Sequence, residues 1–228
     1  MKKINALLLL AVACLPGCTF QVPLSADNFS TSPQTVTGNK LPISVGVLIE
    51  DGTKNWKKRI TPCGQFIDGY GFSVGEELSK LILSASQKCF EKVEVVNSLP
   101  ASHSKDFDAY LIVQDLKADI RICHTNKVMS GALLGAAGSL AGMMRSTTDA
   151  SLSVSVRVAD SNSNSIYSSS VVGNGSSDVP YGGLGPRAGE FSGGVNNAMQ
   201  DLAKNLVQNL RNSSEIKGFA NKASNKAH

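Results

Sequence analysis

Apolar residues through the middle of the chain follow two periods. Ile43, Val45, Val47 and Ile49 alternate, with Gly46 and Leu48 between them, and predict a largely buried strand. After a loop over residues 51–72, Ser73 and Glu76 stand in the Ser-x-x-Glu order of a capping box. Val74, Leu78, Leu81, Ile82, Ala85 and Cys89 then recur at helical spacing. Residues 93–96 read as a short strand and 109–123 as a long one. Inward parity changes within the long strand, where Leu111 and Val113 give way to Leu116, Ala118, Ile120 and Ile122; a β-bulge at Gln114-Asp115 accounts for the change. Leu152, Val154, Val156 and Val158 alternate with Ser153, Ser155 and Arg157, so this strand wets one face, and a turn over 160–165 leads to its return over 166–172. Val195, Met199, Leu202, Leu206 and Leu210 mark a second amphipathic helix. The order β-α-β-β-β-β-α predicts an α+β fold, a single mixed or antiparallel sheet of about five strands with two helices packed on one face.

The flanks lack such periods. Residues 19–40 are polar and rich in Ser, Thr and Pro, and read as a flexible tether with a random-coil reach of about 25 Å. Residues 213–228 are polar with three lysines and read as a frayed tail.

At the amino terminus, Lys2 and Lys3 precede an apolar run over residues 6–14, about the length of a secretory h-region and too short to span a bilayer. It ends in Leu15-Pro16-Gly17-Cys18, which resembles the lipobox of bacterial lipoproteins. The resemblance implies cleavage before Cys18, a diacylglycerol thioether on its sulfur and a further acyl chain, palmitate being typical, on its amino group. Two or three acyl chains anchor stably, whereas one is marginal. Thr19 stands where an aspartate favours inner-membrane retention, so the expected location is the outer membrane with the domain facing the periplasm. The chain then divides into a signal peptide (1–17), a lipidated tether (18–40), an α+β domain (41–212) and a tail (213–228).

The domain resembles the YajG-like bacterial lipoproteins over residues 40–210, in the order of its elements and in the segments DAYLIVQDLKADI, DASLSVSVRVADSNSNSIYSSSVVGNG and VNNAMQDLAKNLVQNL. That resemblance implies a fold and a location and carries no chemistry.

Charge and side-chain chemistry narrow the function further. Loss of Lys2 and Lys3 with the signal leaves 20 basic against 18 acidic residues, too slight an excess for a nucleic-acid partner. The three histidines, His103, His124 and His228, are scattered, and Cys123 and His124 point to opposite faces of a strand, so no catalytic residue, metal site or cofactor is expected. Trp56 stands among Lys54, Lys57, Lys58 and Arg59 in a loop. The cluster suits lipid headgroups, lipopolysaccharide phosphates or an acidic partner; the competing reading is a solvated loop whose tryptophan covers part of the core. Of the cysteines left after processing, the predicted topology pairs Cys89 with Cys123 and leaves Cys63 free or paired between chains.

One apolar insert, residues 128–145, interrupts the domain. As a helix it would be about 25 Å long, short of a bilayer, and a single crossing would separate two strands of one sheet. Gly131, Gly135, Gly138 and Gly142 form a stripe at spacings of four, three and four, as in a glycine zipper. Glycine costs a helix about 1 kcal/mol relative to alanine, so the insert is either a contact for another chain, a partner protein or a bilayer, or a loop folded over its own sheet. Together these features predict a non-catalytic accessory or scaffold lipoprotein, held to the membrane by its lipid and associating with itself or an envelope protein. A periplasmic binding module for lipid, lipopolysaccharide, peptidoglycan or polysaccharide is the alternative.

Overall fold

A computed structural model describes residues 19–26, 39–63, 69–99, 106–126, 144–180 and 188–225. In chain order the elements are β1 (Thr19–Gln21), β2 (Leu41–Ile49), α1 (Asp51–Lys54), β3 (Lys58–Ile60), β4 (Gly69–Phe72), α2 (Val74–Cys89), β5 (Phe90–Val95), β6 (Ala109–Asn126), β7 (Met144–Asp160), β8 (Ser165–Pro180), a 3₁₀ turn (Ala188–Phe191), α3 (Ser192–Asn212) and α4 (Ser214–Ser224). The α+β class holds. The single sheet does not: five strands in the order β5-β2-β6-β7-β8 form one sheet and β1-β4-β3 form a second, and there are four α-helices among the described residues rather than two.

The strands read from periodicity make up the larger sheet. β2 pairs in parallel with both β5 (Val45 opposite Val93) and β6 (Val47 opposite Leu111), while β6, β7 and β8 are antiparallel. The bulge in β6 is present. Pairing with β7 shifts between Gln114 and Lys117, and Asp115 takes φ 57°, a left-handed conformation that aspartate tolerates better than most residues. The extra residue moves Leu116 and Ile120 onto the buried face, and the freed Leu116 N–H donates to Thr53 Oγ1 at 3.3 Å.

Helices α2, α3 and α4 cover the face made by Val45, Leu111, Ile122, Leu152, Val154 and Val156. Ser73 does not cap α2 through its side chain, so the predicted capping box is not formed. Gly75 N instead donates to Trp56 O at 3.3 Å, and close packing against α1 fixes where the helix begins. α3 lies so near β8 that a Cβ on Gly173 would run into Ala198 O and Leu202 N, and one on Gly175 into Ala198 N and Gly194 O. That approach lets three side chains one helical turn apart reach the open edge of β8. Asn197 Nδ2 donates to Ser176 O (3.0 Å), Asp201 Oδ2 accepts from Asn174 N (3.0 Å) and Asn205 Nδ2 donates to Val172 O (2.8 Å).

The carboxyl end is a correction to the frayed tail. Ser213 Oγ accepts from Ile216 N at 3.1 Å as the N-cap of α4, and Ile216 and Ala220 are fully buried. Four apolar residues, Ile216, Phe219, Ala220 and Ala223, dock one face of a helix that is otherwise largely polar.

Candidate functional site

The residues next to Cys18 are built into the fold. β1 runs parallel to β4, Thr19 opposite Gly69 and Gln21 opposite Gly71. Val22 is buried and its N–H donates to Gly71 O at 2.9 Å. Ser25 N then donates to Asn196 Oδ1 (3.3 Å) in α3, and Ala26 N to Glu77 Oε2 (3.0 Å) in α2. Residues 19–26 therefore do not serve as a tether. Backbone pairing, the buried Val22, and Leu24 and Ala26 packed on the core hold them.

The small sheet creates a basic surface. In the Gly-Tyr-Gly-Phe of β4, alternation sends Tyr70 and Phe72 into the core and leaves Gly69 and Gly71 on the outer face. With no side chain there, Arg59 lies across Gly69 and the Gln21 amide across Gly71; a Cβ at either glycine would collide with them. Thr19, Gln21, Lys57, Lys58, Arg59 and Gly71 line a shallow depression of about 230 Å³. Lys57, Lys58 and Arg59 are exposed, and among the described residues none of them joins an ion pair. Trp56 is half-buried and packs on the core. The predicted ligand surface thus divides: three exposed cations line one depression, Arg59 on the outer face opposite Gly71 and Lys57 and Lys58 beside it, and the tryptophan anchors their loop.

A disulfide ties this sheet to the larger one. Cys63 bonds Cys123, with Cα atoms 4.8 Å apart, and Cys63 N donates to Ile122 O at 2.7 Å. The predicted Cys89–Cys123 bridge is therefore wrong. It assumed that β6 returns beside β5 as a hairpin, whereas β6 pairs in parallel with β2. Cys89 thus lies at the starting end of the parallel strands, whereas Cys123 lies about 45 Å along β6 from that strand's own start at Ala109, at roughly 3.3 Å per residue. Cys89 is a free thiol in the core, its Sγ 3.8 Å from Val207 O. Burial pushes its pKa up to about 12 against the opposing pull of Arg211 and Lys88, so at neutral pH it stays protonated.

A second depression, of about 630 Å³, opens on the uncovered face of the large sheet. Asp119 and Arg121 from β6, Asp149 and Ser151 from β7, and Asn174 and Ser176 from β8 form its floor. Ser176 Oγ donates to Asp149 Oδ1 at 2.7 Å and Arg121 meets Asp119 at 3.3 Å, leaving a surface of hydrogen-bonding groups. The alternation of Asp119 and Arg121 with Ile120 and Ile122 marked this face in the sequence, but only strand register brings the six residues together. Among the described residues no cluster of His, Cys, Asp and Glu suits a metal ion.

Cys18, the glycine stripe of Gly131, Gly135, Gly138 and Gly142, and His103 and His228 lie outside the described residues, as does the side chain of His124. The strands flanking residues 127–143 are paired, Asn126 opposite Met144, so both ends of that segment meet the sheet at one place. No described helix is long and apolar enough to cross a membrane.

No protein-family model matches the chain, and no curated protein matches it. Among solved structures it is similar to a neuraminyllactose-binding hemagglutinin homolog from Helicobacter pylori, at 12% identity and a TM-score of 0.42, with 84% of this chain and 95% of that chain covered. A likeness of that size assigns neither a fold nor an activity to this chain.

Proposed function

We propose that the protein is a non-catalytic lipoprotein, acylated at Cys18 and held at the outer membrane with its domain in the periplasm, where it serves as an accessory or scaffold subunit of an envelope assembly. The observation that supports this most is the docking of residues 19–26 onto β4, α2 and α3. A lipid anchor attached there is rigidly joined to the whole domain, as a scaffold that fixes the position of a partner requires. The Cys63–Cys123 bridge suits the oxidising periplasm, the location that the resemblance of the sequence to YajG-like lipoproteins also implies. The glycine stripe at Gly131, Gly135, Gly138 and Gly142 is the contact we assign to the partner or to a second copy. Crosslinking and co-purification from membranes, with Cys18 intact, tests the reading. A discrete complex that Gly135→Leu dissolves without unfolding the domain is expected, and recovery of monomer alone contradicts it.

The polar depression on the open sheet face favours a second reading, a binding module for an envelope glycan. Calorimetric titration with peptidoglycan fragments, compared between the native chain and Asn174→Ala, discriminates the two. Binding that the substitution abolishes, with assembly unaffected, favours the module.

A further inference from the structure

We propose that the outer face of the small sheet rests on the membrane itself, with Arg59 on that face and the exposed Lys57 and Lys58 at its rim bound to anionic phospholipid headgroups of the leaflet that holds the Cys18 acyl chains. The inference builds on the anchored reading and adds an orientation and a ligand to it.

Strand register carries the argument. β1 begins at Thr19, the residue after Cys18, and Thr19 itself lines the depression that holds the three cations. The register sets Arg59 level with Gly71 and Lys58 with Phe72, two strands across from Thr19, so at about 4.8 Å between strands and roughly 3.3 Å per residue the backbones of the cations lie about 12–17 Å from the point where the lipidated residue joins the fold, within the reach of long basic side chains. Headgroups are thus within reach before the domain moves at all. Residues 19–26 are fixed by pairing, which prevents the domain from standing off on a slack tether. The face has one sign of charge and no ion pair among the described residues, and Gly69 and Gly71 keep it flat enough for Arg59 to lie along it. Each cation near an anionic surface strengthens attachment about fivefold.

Trp56 is the only tryptophan in the chain and adjoins Lys57, so it reports the distance of this loop from the bilayer. The experiment uses the full lipidated protein, its acylation checked by intact mass, in phosphatidylcholine vesicles with or without phosphatidylglycerol and with a trace of headgroup-labelled dansyl lipid. Energy transfer from Trp56 should be at least twofold higher with phosphatidylglycerol. It should fall to the neutral-vesicle level in K57E/K58E/R59E and, for the native chain, at roughly 1 M salt, where the screening length is about 3 Å. The salt arm decides the matter if the triple variant folds poorly. Equal transfer on neutral and anionic vesicles from an acylated protein overturns the headgroup proposal and leaves the anchor intact. A mass without acyl chains overturns the anchored reading, and this orientation with it.

Discussion

The backbone N–H of Asn174 in β8 donates to the carboxylate of Asp201 in α3 at 3.0 Å, between the bonds that Asn197 and Asn205 make to the carbonyls of Ser176 and Val172. A helix thereby occupies hydrogen-bonding positions that a neighbouring strand would use. An unpaired edge of this length invites pairing with another chain, and covering it is a recognised remedy. The triple substitution N197A/D201A/N205A should lower stability by roughly 1 kcal/mol for each bond lost and produce concentration-dependent oligomers. Size-exclusion chromatography with light scattering checks this; an unchanged monomer with unchanged melting contradicts it.

The disulfide makes a separate prediction. Cys63 and Cys123 are 60 residues apart, and the chain-entropy model assigns about 4 kcal/mol to closing a loop of that length. C63A/C123A should therefore be destabilised by up to about 4 kcal/mol in denaturant titration, with the largest gain in hydrogen exchange at β3 and β4. A non-reducing peptide map should contain the Cys63–Cys123 pair, and Cys89 should resist alkylation until the domain unfolds.

Cys89 should also impose an alkaline limit. Burial raises its folded pKa to about 12, above the ordinary value of 9.0, so its contribution to stability is complete below pH 9 and is lost as pH rises from 9 towards 12. Between pH 8 and pH 10 the native protein should lose about 1.4 kcal/mol more than C89A, the free energy of a tenfold change in one protonation equilibrium. Parallel stability curves for the two proteins would remove the basis for this limit.

Asp160 sets an acid limit. Desolvation opposes ionisation of its carboxylate, but hydrogen bonds from the Asn164 side chain and backbone and from Asn162 N outweigh it and hold the pKa below the usual 3.8. The folded state therefore gains stability above pH 3.8 that fades as pH falls below it. D160A should cost about 1 kcal/mol at neutral pH by freeing the turn in which Ser163 takes φ 67°. D160N can still accept both backbone bonds, so it should keep most of the turn while losing this acid dependence. Melting curves from pH 2.5 to 7 separate the three proteins.

The sequence revealed those features that have a period. The bulge at Asp115 was legible because one inserted residue flips the parity of every apolar position after it, from Leu111 and Val113 to Leu116 and Ile120. β1 and β3 were not legible, since three-residue strands such as Thr-Phe-Gln and Lys-Arg-Ile are too short to show alternation. α4 was hidden for a related reason, as its buried stripe is Ile216 and Ala220 on a polar background. The disulfide was misassigned because periodicity identifies strands and leaves their partners open, and the choice between pairing β6 with β5 or with β2 moves Cys123 from one end of the sheet to the other. At the basic surface, residue types pointed to Lys57, Lys58 and Arg59, while the nearness of Thr19 and Gln21 came only from the pairing of β1 with β4.

A lipid anchor at Cys18, as proposed, would be joined rigidly to the domain through β1. Hydrogen–deuterium exchange of the membrane-extracted protein, followed on the proteolytic peptide that begins at Cys18, tests both parts in one measurement. The peptide should carry the mass of its acyl chains, and the Val22 amide, bonded to Gly71 O, should exchange far more slowly than in the free peptide. An unmodified Cys18, or complete exchange across residues 19–26 at the earliest time point, contradicts the account.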